Sequence, residues 1–206
     1  MCGLLLTEGN DVLASKWVVN EHICGSLKNA NGPYDYTDPE ARRVKLPIVE
    51  LVHFNEEIRN LKRGKHAHSS SVENDLQYTL RVFPNHHQAL YTYGRYRLTD
   101  PAKNARESID CYFERAFRFK PDDVVAHMVY GIVLMQHKRY QEALEPLLKA
   151  IELDPQLSEA HYNLGLLYLE LNKPDLALKH AKISYELGYP LPGLKAKLVA
   201  IGLWNN

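Results

Sequence analysis

Small residues recur along the second half of this chain at one fixed interval. Gly131 and Gly165 stand 34 positions apart, and Ala143 and Ala177, Ala126 and Ala160, and Pro121 and Pro155 repeat the same offset. Such a period marks stacked helix pairs, each of which cannot bury its apolar face alone. The residue types fit close packing. A glycine on the first helix (A) and an alanine on the second (B) let the two axes approach, and the proline ends one unit and sets the start of the next. Larger side chains fill the space between, with Tyr130 and Leu134 in one unit and Leu164 and Tyr168 in the next.

This pattern resembles the tetratricopeptide repeat family. The segment AHYNLGLLY at 160–168, followed by Ala177, looks like that family's helix A consensus, with His161 where a tryptophan is usual. The unit at 124–157 matches through Ala126, Gly131, Tyr140, Ala143, Ala150 and Pro155. An earlier unit, about 87–123, keeps Ala89, Leu90, Gly94, Phe113, Ala116 and Pro121 but carries roughly three extra residues around 99–105. The resemblance implies an all-α fold, a short right-handed α-α solenoid with an irregular N-terminal arm.

The rest of the chain divides around that array. Residues 1–46 give no periodic signal; Gly25, Asn29, Asn31, Gly32, Pro33, Asp35, Asp38 and Pro39 crowd turn formers together. With Trp17, Tyr34 and Tyr36 in it, residues 16–46 are expected to pack along the helical body as a long arm. Residues 47–84 read as a degenerate cap or partial repeat. Pro47 opens one helix, Asn55 caps a second ahead of Glu56 and Glu57, and Leu76, Leu80 and Phe83 form a helical stripe. Residues 85–189 hold three helix pairs, and 190–204 a terminal capping helix that covers the last pair.

Composition narrows the function. Twenty-five basic residues balance 25 acidic ones, so the net charge is zero and no concentrated positive field exists for nucleic acid or an anionic membrane. Arg59, Lys62, Arg63 and Lys65 cluster just after Glu56 and Glu57 and read as a solvated helix face. No run approaches the ~20 apolar residues that span a bilayer, so direct membrane insertion is not expected. The opening residues lack a basic flank before Leu4, Leu5 and Leu6 and do not read as an intact secretory signal.

Three cysteines, Cys2, Cys24 and Cys111, allow at most one internal pair. Cys24 with Cys111 is the expected pair if the protein is exported; separate reduced thiols remain the alternative. The chain leans toward a periplasmic or exported setting over a cytoplasmic one, because a cysteine in a turn-rich arm makes sense as a staple.

In the family, helix A positions line a concave surface that holds peptides or partner proteins. Carried onto this sequence, the peptide-binding groove is Tyr91, Arg95, Met128, Ile132, Tyr162, Asn163 and Leu166, with neighbours such as Gln88, Val125, Met135, Gln136 and Glu159. The arm either leaves this hollow free or lies in it and buries Tyr91, Met128 and Tyr162 itself. The groove lysines and asparagines used to hold a terminal carboxylate are reduced here to Asn163 and Arg95, so that specialised activity is not expected.

Catalytic and metal signatures are weak. Ten histidines include His66, His68, His86 and His87, the first group to test for metal, but no HExxH and no cysteine cluster accompanies them. His127 and His161 occupy equivalent repeat positions and read as helix-packing residues. There is no nucleophile elbow, P-loop or dinucleotide glycine pattern, and Ser69, Ser70 and Ser71 sit in a polar linker. The expectation is therefore a non-enzymatic protein- or peptide-binding adaptor or scaffold, without cofactor or metal. The competing reading is a structural subunit that grips a neighbour through its N-terminal arm.

Overall fold

In the computed structural model, residues 21–62, 71–102 and 104–204 are described; Cys2, Trp17, Arg63, Lys65, His66, His68, Ser69 and Ser70 lie outside them. The described residues are all helix, turn and coil. Four short helices come first: α1 (Glu21–Cys24), α2 (Pro39–Val44), α3 (Leu46–His53) and α4 (Glu56–Arg59). Then follow α5 (Val72–Val82), α6 (His87–Thr99), α7 (Ile109–Phe119), α8 (Val124–Gln136), α9 (Tyr140–Leu153), α10 (Ser158–Glu170), α11 (Pro174–Glu186) and α12 (Gly193–Ala200).

Side chains that compete for backbone hydrogen bonds set the helix starts. Asn55, Ser71, Ser108 and Asp123 each accept from the amide three residues on, at Ile58, Asn74, Cys111 and Ala126. The turns between paired helices repeat as well. Lys138 and Asn172 both take left-handed backbone, at φ 58° and 55°, and stand one period apart.

Pairs α6/α7, α8/α9 and α10/α11 stack side by side, with helix A of each unit packed on its neighbours. The glycines sit at the tight crossings. A Cβ on Gly131 would lie 2.5 Å from Leu147 Cγ and 3.3 Å from the Ala143 carbonyl. One on Gly165 would lie 2.5 Å from Leu194 Cδ2 and 3.3 Å from the Ala177 carbonyl. Gly94 faces Val133 of the next unit just as closely, at 2.6 Å. Leu134, Leu147, Leu164 and Leu167 are completely or almost completely buried around these crossings, each worth about 1.5–3 kcal/mol of apolar burial. Helix α12 takes the place of a further helix A, its Leu194 and Leu198 closing the end of the core.

The described arm residues hold to α5, α7 and the turns that precede α6 and α8. Cys24 and Cys111 are joined in a disulfide with a Cα separation of 4.9 Å. Beside it Arg115 donates to the carbonyls of Cys24 (3.3 Å) and Ser26 (2.8 Å), and Arg118 donates to that of Gly25 (2.8 Å). Further on, Tyr34 N donates to Val82 O at 2.8 Å. Gly32 makes that approach possible: a Cβ there would stand 2.8 Å from the same carbonyl.

Asn85, completely buried, is the centre of the arm's attachment. Its Oδ1 accepts from Tyr36 N, and its Nδ2 donates to both Asp35 Oδ1 and Asp123 Oδ2 at 2.8 Å. Lys120 Nζ meets Asp35 Oδ2 at 2.6 Å, and the Tyr36 ring stacks on His86 at 4.2 Å. Burial alone would push the Asp35 carboxyl up. The bonds from Lys120, Asn85 and Thr37 outweigh burial and hold it well below the usual carboxylate range. The arm also carries two short helices, α1 and α2, of which the turn-rich composition gave no hint; Asp38 caps α2 through Glu40 N.

Candidate protein-binding surface

Helices α6, α8 and α10 lie next to one another, so side chains at matching helix A positions share one side of the stack. Tyr91 and Arg95 on α6, Ile132 on α8, and Asn163 and Leu166 on α10 are half-buried, with part of each side chain open. The first two helices are tied across this surface: Gln136 Nε2 donates to Tyr91 Oη at 3.0 Å. That bond fixes a tyrosine hydroxyl and ring on a rigid element, which lowers the ordering cost of any contact made there.

Other groove positions have less to offer. Met128 is 4% exposed and Tyr162 8%, so both act mainly as packing residues. The Tyr162 ring lies against Tyr189, in the segment leading into α12, at 4.5 Å and against Tyr185, near the end of α11, at 6.5 Å. The C-terminal cap therefore walls off this end of the surface. Asn163 spends its amide donor on its own helix, bonding Glu159 O at 2.8 Å. The open part of the surface is thus centred on Tyr91, Arg95, Ile132 and Leu166, apolar with a single cation.

Of the histidines singled out for metal, His86 and His87 are engaged otherwise, and His66 and His68 lie outside the described residues. His87 Nε2 lies 2.8 Å from Asp123 Oδ1, and His86 is completely buried against Tyr36, Phe54 and Glu50. Burial pushes the His86 imidazole below its ordinary value. Among the described residues no three or more His, Cys, Asp or Glu side chains converge as a metal site would require. No described helix is long and apolar enough to cross a membrane.

Stacked antiparallel pairs with small residues at each crossing and a helical cap define a repeat scaffold of the solenoid class. Sequence models of the TPR repeat and the tetratricopeptide repeat match residues 131–172 and 158–187, so that stretch consists of tetratricopeptide repeats. The human protein O-mannosyl-transferase TMTC3 is 30% identical over 131 residues, 59% of this chain and 14% of its own length. The peroxisomal targeting signal receptor of Candida albicans is 32% identical over 74 residues, 36% of this chain and 12% of its own. The chain thus spans about one seventh or less of these relatives. Among solved structures, a MamA RS-1 ArsTM double mutant is 21% identical, with 71% of this chain and 78% of that chain covered and a TM-score of 0.49. A crystal structure of MamA is 20% identical, with 77% and 86% covered and a TM-score of 0.48.

Two features escaped the sequence reading. Tyr189, which covers Tyr162, stands one period after Pro155 but is a different residue type, so the interval gave no signal for it. The other is on the outer side of the stack, where Pro146 occupies the position that His180 holds one period later. Aligning the units at 34 residues, with His127 under His161, would have exposed it.

Proposed function

We propose that this chain is a non-enzymatic adaptor or scaffold that holds a protein or peptide on the surface formed by α6, α8 and α10. Tetratricopeptide repeats support an interaction role in general. The finer reading rests on one observation: a row of half-exposed side chains, Tyr91, Arg95, Ile132 and Leu166, stands on three packed helices and is braced by the Gln136–Tyr91 bond. The described arm residues support it by attaching elsewhere, through Cys111, Asn85, Arg115 and Lys120. Their polar groups are spent on the chain's own body, which favours groove recognition over a grip on a neighbour. The Cys24–Cys111 bond supports an oxidising compartment.

The test is site-specific photo-crosslinking in an extract of the native host. A crosslinker at Ile132 is expected to give a discrete adduct that Arg95→Glu together with Leu166→Ser abolishes, whereas one at Gln141, on the outer side, gives none. Equal labelling from both positions, or an adduct indifferent to the double substitution, would sink the groove reading.

A further inference from the structure

The second and third repeats differ at one place on their outer side. In each, a helix A histidine rests on the preceding proline: His127 Nε2 is 2.9 Å from Pro121 O, and His161 Nε2 is 3.2 Å from Pro155 O. A carbonyl only accepts, so Nε2 carries the proton in both rings and Nδ1 presents a lone pair. In the third repeat that lone pair is met. His180 comes up from α11, with the two Nδ1 atoms 3.0 Å apart, and His180 must be the donor. One period earlier the same position is Pro146, inside α9, which has no N–H to give. His127 is only 7% exposed, and its Nδ1 is buried without a partner. Burial also lowers its basicity, which keeps the ring neutral and the lone pair in place at neutral pH.

A cleft of about 730 Å³ opens beside Pro146, between α7 and α9. Phe117, Pro121, Leu144 and Leu148 line it together with His127. The His127 and Phe117 rings lie parallel, 6° apart in plane with centroids at 4.2 Å, and form a flat patch. The volume falls within the range of small-molecule sites, roughly 300–1,000 Å³, and such sites pair apolar walls with few polar groups.

We propose that this outer cleft binds a small, planar, largely apolar molecule carrying one N–H or O–H donor, which supplies to His127 Nδ1 the hydrogen that His180 supplies in the next repeat. The site is separate from the groove and does not depend on it. The same chemistry exists within the chain in the indole of Trp17, and the experiment distinguishes the two sources.

Indole and 1-methylindole are titrated into the full-length protein by ligand-observed NMR. Indole is expected to bind saturably at one site, with 1-methylindole at least tenfold weaker. Pro146→His, which installs the third repeat's donor, removes indole binding, whereas Pro146→Ala retains it; circular dichroism confirms that both are folded. His127→Phe, which keeps the flat patch without the acceptor, erases the difference between the two probes and serves if Pro146→His does not fold. Trp17→Phe leaves indole affinity unchanged. Equal affinity of the two probes for the unaltered protein, absence of saturable binding, or indole binding that survives in folded Pro146→His would overturn the proposal. A tenfold gain in indole affinity on Trp17→Phe would also overturn it, by assigning the cleft to the chain's own side chain.

Discussion

The repeats and the edge that receives the arm are held together by opposite means. Between α8 and α12 the joints are small residues nested under leucines, Gly131 under Leu147 and Gly165 under Leu194, with Ala143, Ala177 and Ala181 completely buried. At the edge the joints are polar atoms that satisfy one another, Asn85 with Tyr36, Asp35 and Asp123, backed by one covalent bond between Cys24 and Cys111. Nesting tolerates no added volume but needs no particular partner atom. A buried polar joint tolerates no missing partner, because an orphaned donor or acceptor loses its water without replacement. The two regions should therefore fail under different substitutions.

The largest effect is expected from the covalent joint. The disulfide closes a loop with a sequence separation of 87 residues, so Cys24→Ser with Cys111→Ser should lower unfolding free energy by about 4.6 kcal/mol on the chain-entropy model. Urea titration measures the total. Hydrogen exchange should show Tyr34 and Tyr36 amides losing protection while the middle of α10 keeps it. A loss spread evenly over both regions would break the distinction.

Asn85→Ala should come next, at about 3 kcal/mol, because it leaves the Tyr36 amide without its acceptor and takes one donor each from Asp35 and buried Asp123. Among the repeats, Gly131→Ala should cost about 1–3 kcal/mol by overpacking. Gly165→Ala should cost about 1 kcal/mol less, since the atom it meets is the swinging end of Leu194, whereas Gly131 meets the branch carbon of Leu147. The reverse order in urea titrations would show that α12 is more rigidly seated than α9.

The same contrast explains what could be read in advance. Nesting depends on side-chain size at a fixed interval, so the glycines, alanines and prolines of 121–177 announced the helix pairs directly. The polar edge has no interval. Asn85 joins residues 38, 49 and 50 positions away, and nothing in Asp35, Tyr36 or Asn85 taken singly marks them as one joint. The groove was legible only in outline. Helix A positions follow from the repeat, but the covering of Tyr162 by Tyr189 and the bond from Asn163 to its own helix depend on how the cap returns and which rotamer wins.

Acid should separate His180 in the repeats from Asp35 at the edge by the pH at which each contribution is lost. His180, facing His161 and the Tyr168 ring with Lys179 beside it on α11, is pulled down to about 4 from its ordinary 6.5, first by burial and then by His161 and Lys179. Between those values the unfolded chain takes up a proton that the folded one refuses, so this contribution to stability is lost as pH falls from about 6.5 to 4. Asp35 at the edge behaves oppositely in range. Its folded value lies below the ordinary 3.8, so its contribution is complete above that pH and is lost only below it. His180→Gln should therefore shrink the fall in Tm between pH 7 and pH 5, by about 2 °C once solvent screening of this half-buried ring is allowed for. Asp35→Asn should lower Tm equally at pH 7 and pH 5, its gap from the unaltered chain closing only below about pH 4. If Asp35→Asn changed the slope between pH 7 and pH 5, or His180→Gln left it untouched, the edge and the repeats would be one electrostatic unit, and the division between nested and polar joints would hold for packing alone.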